Sequence, residues 1–413
     1  MSVDDLARPA PAIRAPAARW TLTRDHAVIA VIGVLLFLGS TLVYLLIGPT
    51  QEGTDAFFPL ADAFLHGRLH LVGGPYTWIE VVPRPGGDGW YIPYPPIPAV
   101  MVLPIAYFSG QSGDTAILSA LLGGLSTVLV FACLGRIGVP LVARTALALA
   151  YAFGTEIMWA AGVGGTHLYA QILGQTFLLA AILVALSRRW PLLAGLLLGL
   201  GAGSRLPIGL ALPVLLWLYR DRRFGWGAVL LGIAPVAICV ALYNDARFGS
   251  PFEFGYALIR SLDGQSVLDE SWYTNGIVSP AYLPRGLYSM FLRTFEYRDQ
   301  LPWLVPTWAG QSILVTTPAL LWILRSAWRD PFVRVLAATS VLVMIPDLLH
   351  GNPGYAQFGY RFILDALPLL WLLLGLVVAR TGLTRWLTVA LAVGCAVFAY
   401  GFWAIDTLQI VTP

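Results

Sequence analysis

Long apolar segments separated by short polar ones dominate the chain. The apolar runs cover residues 27–47, 96–108, 114–135, 145–163, 168–187, 191–219, 226–243, 309–328, 334–350, 362–380 and 386–405. Most are close to the ~20 residues that a helix needs to cross a bilayer, where helices satisfy every backbone polar group internally. The pattern predicts an all-α polytopic membrane protein with about eleven transmembrane helices.

Two of these runs have unusual lengths. The run 96–108 has 13 residues and contains Pro98 and Pro104, so it fits either a short span or an interfacial or re-entrant helix. The run 191–219 has 29 residues, which makes about 43 Å as one helix and exceeds the hydrocarbon thickness. Because Gly, Ser and Pro residues surround Arg205 at its middle, we expect two half-spans that form a hairpin. Arg205 then lies at the outer tip or inside a cavity.

Arginine clusters at the ends of the runs set the topology. If 96–108 does not cross the membrane, every cluster falls on the cytoplasmic side, as the positive-inside rule requires. The clusters are Arg136/Arg144, Arg188/Arg189, Arg220/Arg222/Arg223, Arg325/Arg329/Arg334 and Arg380/Arg385. The N-terminus is then inside and the C-terminus outside.

This topology divides the chain into three parts. They are a disordered cytoplasmic tail (1–26), the transmembrane domain (27–405) and an exterior tail (406–413). The exterior connections are 48–113, which carries juxtamembrane helices, 164–167, the turn at Arg205, the large loop 244–308, and 351–361. Since the long polar loops all lie on one face, we expect a site between the membrane and the exterior.

Composition supports this class. Hydrophobic residues make up 58% of the chain and charged residues 11%, less than half of what soluble domains carry. Every basic residue except histidine is an arginine, so lysine-based covalent or general-base chemistry is excluded. The cysteines, Cys133, Cys239 and Cys395, lie in apolar runs, where small core residues are the expected interpretation. No spacing calls for a metal, although carboxylates are compatible with a divalent cation.

Acidic residues follow the first helix closely. Glu52, Asp55 and Asp62 lie within fifteen residues of its outer end. Partial desolvation at the membrane rim can raise the pKa of a carboxyl group and make it a suitable base for a hydroxyl. The alternative is an ordinary solvated loop acid. Residues 60–71 have apolar residues at helical spacing, which predicts an amphipathic helix lying on the membrane.

Two arginines are candidates for binding a phosphate. Arg205 lies within an apolar run, so it needs either an anionic ligand or a carboxylate such as Glu156 or Asp347. Arg361 lies at the start of a helix, where anions are favoured, or else it pairs with Asp365.

Other polar residues accompany these arginines. His350, Tyr355, Gln357 and Tyr360 share a short exterior loop with Arg361. His167 lies in another exterior turn and is either a proton carrier or a satisfied structural histidine. Tyr94 ends an aromatic stretch that either stacks on a sugar or anchors the chain at the interface. Together with Asp62, Tyr94, His167, Tyr355 and Gln357 are assigned to the substrate pocket.

Several stretches together resemble the bacterial integral-membrane glycosyltransferases of the GT-C class. They are TDAFFPLADAFLHGRL at 54–69, YPPIPAVMVLPIAYFSG at 94–110, GLLLGLGAGSRLPIGLALPVLL at 195–216, YNDARFGSPFEFGY at 243–256 and GYRFILDALPLLWLLLG at 359–375. This class includes protein mannosyltransferases, aminoarabinose transferases and polyprenol-phosphate-mannose-dependent mannosyltransferases. The likeness covers most of the chain, and each motif alone is loose.

The resemblance implies a sugar donor linked to a polyprenyl phosphate and an active site facing the exterior of a bacterial plasma membrane. The catalytic acid of the class matches Asp55, with Glu52 as the nearby alternative. The residues that hold the donor phosphate match Arg205 and Arg361, with His350 and Tyr360 beside the latter. The adjacent Asp-Glu pair of some branches is missing here, which leaves the dependence on a divalent cation open.

The expected activity is inverting transfer of the sugar to an acceptor hydroxyl on a glycan, lipid or protein. Nucleic acid is not among the expected partners. A lipid or solute transporter, or flippase, is the alternative, because an arginine and acids inside the membrane also suit a translocation pathway.

Overall fold

The computed structural model describes residues 24–48, 55–74, 79–260 and 264–412. Helices make up most of this part. The α-helices are α1 (Arg24–Ile47), α2 (Phe57–Leu65), α3 (Ile97–Ser109), α4 (Thr115–Arg136), α5 (Leu141–Phe153), α6 (Ile157–Val163), α7 (Thr166–Leu186), α8 (Pro191–Ala202), α9 (Leu212–Leu218), α10 (Gly225–Phe248), α11 (Leu283–Phe291), α12 (Ile313–Thr316), α13 (Pro331–Leu348), α14 (Leu367–Thr381) and α15 (Arg385–Phe402).

Shorter elements connect these helices. The 3-10 helices are Gly110–Ser112, Leu206–Ala211, Tyr256–Leu258, Val267–Asp269, Ser271–Tyr273, Pro280–Tyr282, Pro318–Arg325 and Arg361–Asp365, and a π-helical turn covers Trp403–Thr407. The strands are β1 (Val82–Pro83), β2 (Trp90–Tyr91), β3 (Glu296–Tyr297), β4 (Leu304–Val305), β5 (Ala309–Gln311) and β6 (Gln357–Gly359). The pairs β1–β2 and β3–β4 are antiparallel, and β5–β6 is parallel.

The predicted all-α polytopic membrane architecture is confirmed. By length and composition, six described helices suit a membrane span, or seven if α5 and α6, which meet at 52°, form one span. The expected count of about eleven is not recovered, because the other apolar helices of the described part have fewer residues than a bilayer requires.

Proline and glycine account for the main departures from the predicted helices. The run 309–328 forms strand β5, the short helix α12 and the 3-10 helix Pro318–Arg325 instead of one long α-helix. Pro318 lacks the N–H that would continue α12. The run 145–163 breaks between α5 and α6 at Gly154–Glu156. The run 191–219 is different, because its break at 203–205, between α8 and α9, lies where the residues around Arg205 predicted it.

The first juxtamembrane helix is shorter than predicted and is packed into the protein. It covers Phe57–Leu65 instead of 60–71, and it ends before Gly67, whose φ of +68° is a left-handed conformation that favours glycine. Phe57, Phe58 and Leu60 are buried in a core shared with α3 and α7. This helix is therefore packed into the core of the protein, in contrast to the amphipathic helix predicted to lie on the membrane.

Small residues let the helices approach closely. A Cβ at Gly232 of α10 would lie 2.1 Å from the carbonyl oxygen of Leu192 in α8, and a Cβ at Gly195 would lie 2.0 Å from that of Val229. Such contacts are typical of helix pairs in membranes, where tight packing replaces the hydrophobic drive. The tight pair α8–α10 fixes the helix that ends just before Arg205.

Arginines from different clusters meet at the helix ends. Arg188 NH1 lies 3.3 Å from a carboxylate oxygen of Asp221, and Arg380 NH1 donates to the carbonyl oxygen of Arg325 at 3.5 Å. These bonds join segments that the topology predicts to lie on the same side of the membrane.

Candidate active site

Two adjoining cavities lie where the predicted exterior segments converge. Their volumes are about 580 and 270 Å³. The residues that line both are Glu80, Tyr94, Thr166, His167, Asn352 and Arg361. They come from the segment between α2 and α3, the 164–167 turn and the 350–361 loop, so segments far apart in sequence form one continuous cleft.

Arg361 is a positively charged residue of this cleft, and it forms no ion pair with a carboxylate among the described residues. Its backbone N–H donates to Gln357 Oε1 at 3.2 Å, and its NH1 donates to the Tyr355 carbonyl oxygen at 3.5 Å. Gln357 is fully buried and also donates to the Ala309 carbonyl oxygen at 2.9 Å, while β5 and β6 pair alongside. This loop therefore holds the Arg361 guanidinium at the cavity wall with its charge available to an anionic ligand.

Arg205 is held by two carboxylates. Its guanidinium lies 2.8 Å from Asp365 and 3.3 Å from Asp347, both of which are buried. The alternative in which Arg205 pairs with an acid such as Asp347 therefore describes the structure, whereas the alternative in which Arg361 pairs with Asp365 does not, because Asp365 contacts Arg205. Arg205 lines the smaller cavity, but its charge is already compensated.

Glu80 occupies the junction of the two cavities. The Tyr94 hydroxyl donates to Glu80 Oε2 at 2.5 Å, and the ring of Tyr94 packs edge-on against His167, with centroids 5.3 Å apart. Tyr94 and His167 were predicted to line the pocket, whereas Glu80 was not. No periodicity marks a loop residue of this kind, and only the fold brings it beside Arg361.

His350 lines the smaller cavity and lies at the start of the loop that carries Arg361. Its Nδ1 is 2.8 Å from the Asn352 carbonyl oxygen, and its ring packs against Tyr273 and Phe362. Burial lowers the pKa of His350, which favours the neutral imidazole at pH 7. A neutral ring can orient a ligand through a hydrogen bond without adding charge.

Asp55 lies beside the cleft and does not line it. Its neighbour Ala56 donates its N–H to Thr166 Oγ1 at 2.9 Å, and Thr166 and Phe57 line the smaller cavity. The Phe57 N–H donates to Asp55 Oδ1 at 2.7 Å, whereas Oδ2 is buried and has no hydrogen-bond partner among the described residues.

The environment of Asp55 changes its acidity. Burial is the main cause that raises its pKa to about 7; the Phe57 hydrogen bond opposes this rise, and repulsion from the Asp114 carboxylate adds to it. Glu52, the alternative base, lies outside the described residues.

Three predicted site residues take structural positions outside the cleft. Tyr360 is 1% exposed, and its hydroxyl donates to the Asp347 carbonyl oxygen at 3.4 Å. Gln357 is also buried and supports the loop. Asp62 contacts His66 and accepts a hydrogen bond from Gln111 at 3.0 Å. Tyr355, by contrast, lines the larger cavity as expected.

The larger cavity also has an apolar wall that the sequence did not indicate. Trp159, Trp308, Phe402, Ile405 and Val411 contribute to it. These residues come from α6, from the segment before β5 and from the C-terminal end of the chain. An apolar wall facing a cation suits an amphiphilic ligand with a charged head and a hydrocarbon part.

Comparison with known proteins identifies the family. Residues 91–349 match the sequence model of glycosyltransferase family 87. The chain belongs to glycosyltransferase family 87. The membership confirms the resemblance to integral-membrane glycosyltransferases of the GT-C class. The matched range of family 87 contains Tyr94, His167 and Arg205, whereas Asp55, Glu80 and Arg361 lie outside it.

Among solved structures, the chain is similar to the apo form of the oligosaccharyltransferase of Archaeoglobus fulgidus. The identity is 16% and the TM-score 0.43, and the match covers 92% of this chain and 56% of that one. The chain thus spans little more than half the length of that protein. The search of curated proteins returned no match.

Proposed function

We propose that this family 87 protein is an inverting glycosyltransferase. It moves a sugar from a polyprenyl-phosphate donor to an acceptor hydroxyl at the exterior face of a bacterial plasma membrane. The observation that carries this proposal is Arg361, a cation that lines both cavities and has no carboxylate partner among the described residues. A planar guanidinium with several donors suits a phosphate.

The apolar wall of the larger cavity supports a lipid-linked donor. Trp159, Phe402 and Ile405 give a polyprenyl chain a surface on which to pack, while Arg361 holds the phosphate at the polar end. In this arrangement the sugar extends from the phosphate toward Tyr94 and His167, where the two cavities join.

Asp55 is the proposed base. With a pKa of about 7, its carboxylate is partly ionised at neutral pH and basic enough to accept a proton from a hydroxyl. The acceptor oxygen then forms a bond to the anomeric carbon as the bond from that carbon to the phosphate oxygen breaks. The bonding electrons leave with the phosphate, and attack from the opposite face inverts the configuration.

Arg361 stabilises the charge that develops on the departing phosphate. Electrostatic stabilisation of a leaving group in a site with limited water is often the largest catalytic contribution. Since a phosphate leaves readily, this route requires no second carboxyl group to protonate it. Arg205 keeps a structural role, because its two carboxylates already satisfy its charge.

Two substitutions test this assignment on purified protein with synthetic polyprenyl-phosphate sugars. Asp55→Asn is expected to abolish transfer and keep donor binding. Arg361→Gln is expected to raise the donor Kd by about tenfold or more, because it removes a charged phosphate contact. Asp88→Asn and Arg298→Gln change exposed residues away from the cavities and serve as matched controls. Full transfer by Asp55→Asn, or unchanged donor binding by Arg361→Gln, would reject the corresponding role.

A further inference from the structure

Glu80 is an acidic side chain of the cleft that the proposed mechanism does not use. It lines both cavities, together with Arg361. No arginine of the described part lies within ion-pair distance of it. An unpaired carboxylate that faces a cavity is available to a ligand, whereas a carboxylate paired with arginine is not.

The geometry of Glu80 leaves one carboxylate oxygen free. Oε2 accepts the Tyr94 hydroxyl at 2.5 Å, and no hydrogen bond joins Oε1 to the described residues. Tyr94 is buried, and its ring packs against His167 and Tyr256. The bond from Tyr94 therefore holds one oxygen of Glu80, while the other has no hydrogen-bond partner among the described residues, on a side chain that lines both cavities.

The cleft thus presents opposite charges to one ligand. Arg361 suits an anionic group, and Glu80, as an acceptor of hydrogen bonds, suits neutral hydroxyl donors nearby. A carboxylate accepts hydrogen bonds from hydroxyls through several lone pairs, and such charge-assisted bonds are stronger than neutral ones. A sugar attached to a phosphate has this combination of groups.

We infer that Glu80 binds the hydroxyl groups of the transferred sugar and sets which sugar the enzyme accepts, with Tyr94 as its positioning residue. The inference rests on the proposed function, since it requires the donor phosphate on Arg361. It assigns Glu80 a binding role, distinct from the proton transfer at Asp55. A site built to bond a particular hydroxyl discriminates strongly against an analogue that lacks it.

The test combines variants of Glu80 with donors that lack single hydroxyls. The probes are synthetic polyprenyl-phosphate mannose, glucose and galactose, and then the monodeoxy analogues of the best of these. Dissociation constants are measured in the Asp55→Asn background, so binding is read without turnover. Glu80→Gln keeps the shape and removes the charge, Tyr94→Phe removes the positioning hydroxyl, and Glu296→Gln is a matched control on an exposed strand.

The expected result is a loss of donor affinity that depends on which sugar hydroxyls are present. Glu80→Gln should weaken the full sugar by about ten- to hundredfold. In the Glu80→Gln variant, removing from the donor the one or two hydroxyls that Glu80 binds should cause no further loss of affinity. In the protein with Glu80, removing those same hydroxyls should weaken binding by a similar factor. Tyr94→Phe should show the same selectivity with a smaller loss, and Glu296→Gln should show none.

Two outcomes overturn the inference. In the first, Glu80→Gln weakens the binding of every analogue by the same factor, which would mean that Glu80 acts on something other than the sugar hydroxyls. In the second, Glu80→Gln leaves donor binding unchanged but abolishes turnover when it is made in the enzyme that retains Asp55, which would make Glu80 a proton-transfer residue. The proposed function fails in a different way, since then the unmodified protein neither binds nor uses any polyprenyl-phosphate sugar.

Discussion

The acidity of Asp55 makes a direct prediction about the pH dependence of transfer. A base must be deprotonated to act, so the rate follows the ionised fraction of Asp55. With a pKa of about 7, that fraction is roughly 90% at pH 8, about 10% at pH 6 and about 1% at pH 5. A carboxyl with the ordinary pKa of about 4 would stay almost fully ionised over this whole range.

The assay is kcat/KM for a synthetic polyprenyl-phosphate sugar between pH 5 and 9. The expected profile rises with pH and reaches half of its plateau near pH 7, with a decrease of about tenfold from pH 8 to pH 6. A flat profile from pH 5 upward would refute the assignment of a desolvated Asp55 as the base. Circular dichroism at each pH checks that the protein stays folded.

Asp114 gives an independent test of the physical cause. Its carboxylate raises the pKa of Asp55 by repulsion, and it also caps α4 by accepting the Ala116 N–H at 2.7 Å. Asp114→Asn keeps a capping oxygen and removes the charge. The profile should shift to lower pH by less than about one unit. A shift to higher pH would contradict the repulsion.

The same raised pKa has a consequence for stability. The folded protein holds the proton of Asp55 more tightly than the unfolded chain, so this group favours folding below about pH 4 and the benefit is lost as pH rises through about 7. The difference in melting temperature between wild type and Asp55→Asn should therefore change between pH 4 and 7. A constant difference across this window would show that burial does not perturb the carboxyl.

Two further predictions concern packing and charge. Asp365→Asn weakens the compensation of the Arg205 charge and should reduce the free energy of unfolding by about 3 kcal/mol. The loss is measured as a lower melting temperature in detergent. An unchanged melting temperature would show that stability does not require this buried ion pair. Gly232→Ala places a Cβ 2.1 Å from the Leu192 carbonyl oxygen, whereas a Cβ at Gly227 meets no atom within 4 Å. The first should therefore cost about 1–3 kcal/mol and the second nothing, and equal melting temperatures would contradict the tight approach of α8 and α10.

Continuous apolar runs without central proline were predicted well. The run 114–135 corresponds to α4 (Thr115–Arg136), and 168–187 to α7 (Thr166–Leu186). Asp114 caps the start of α4, and Gly165 precedes α7. An apolar run of this length leaves few alternatives to a single helix. Proline and glycine did not have one fixed effect: α10 continues through Pro235, whereas the run 145–163 breaks at Gly154–Glu156. Tertiary packing decides whether the chain continues, tightens or breaks at such a position, so the sequence pattern alone does not predict it.

The site was predicted in part because polar residues are rare in such a sequence. His167, Arg205 and Arg361 are prominent in an apolar chain, and the fold brings them to adjoining cavities. The contact of Arg205 with Asp347 was one of the predicted alternatives, but its pairing with Asp365 was not predictable, since these two residues are 160 residues apart and periodicity gives no distance between distant helices. Glu80 was missed for the same reason.

Transfer itself is the central measurement. Purified protein in lipid nanodiscs is incubated with a polyprenyl-phosphate sugar labelled in the sugar, and with a mixture of glycan, lipid and peptide acceptors. The account predicts that the label moves to one acceptor, that the new bond has the opposite anomeric configuration by NMR, and that Asp55→Asn shows neither change. Label that stays on the lipid, or only crosses the membrane in sealed vesicles, would contradict it.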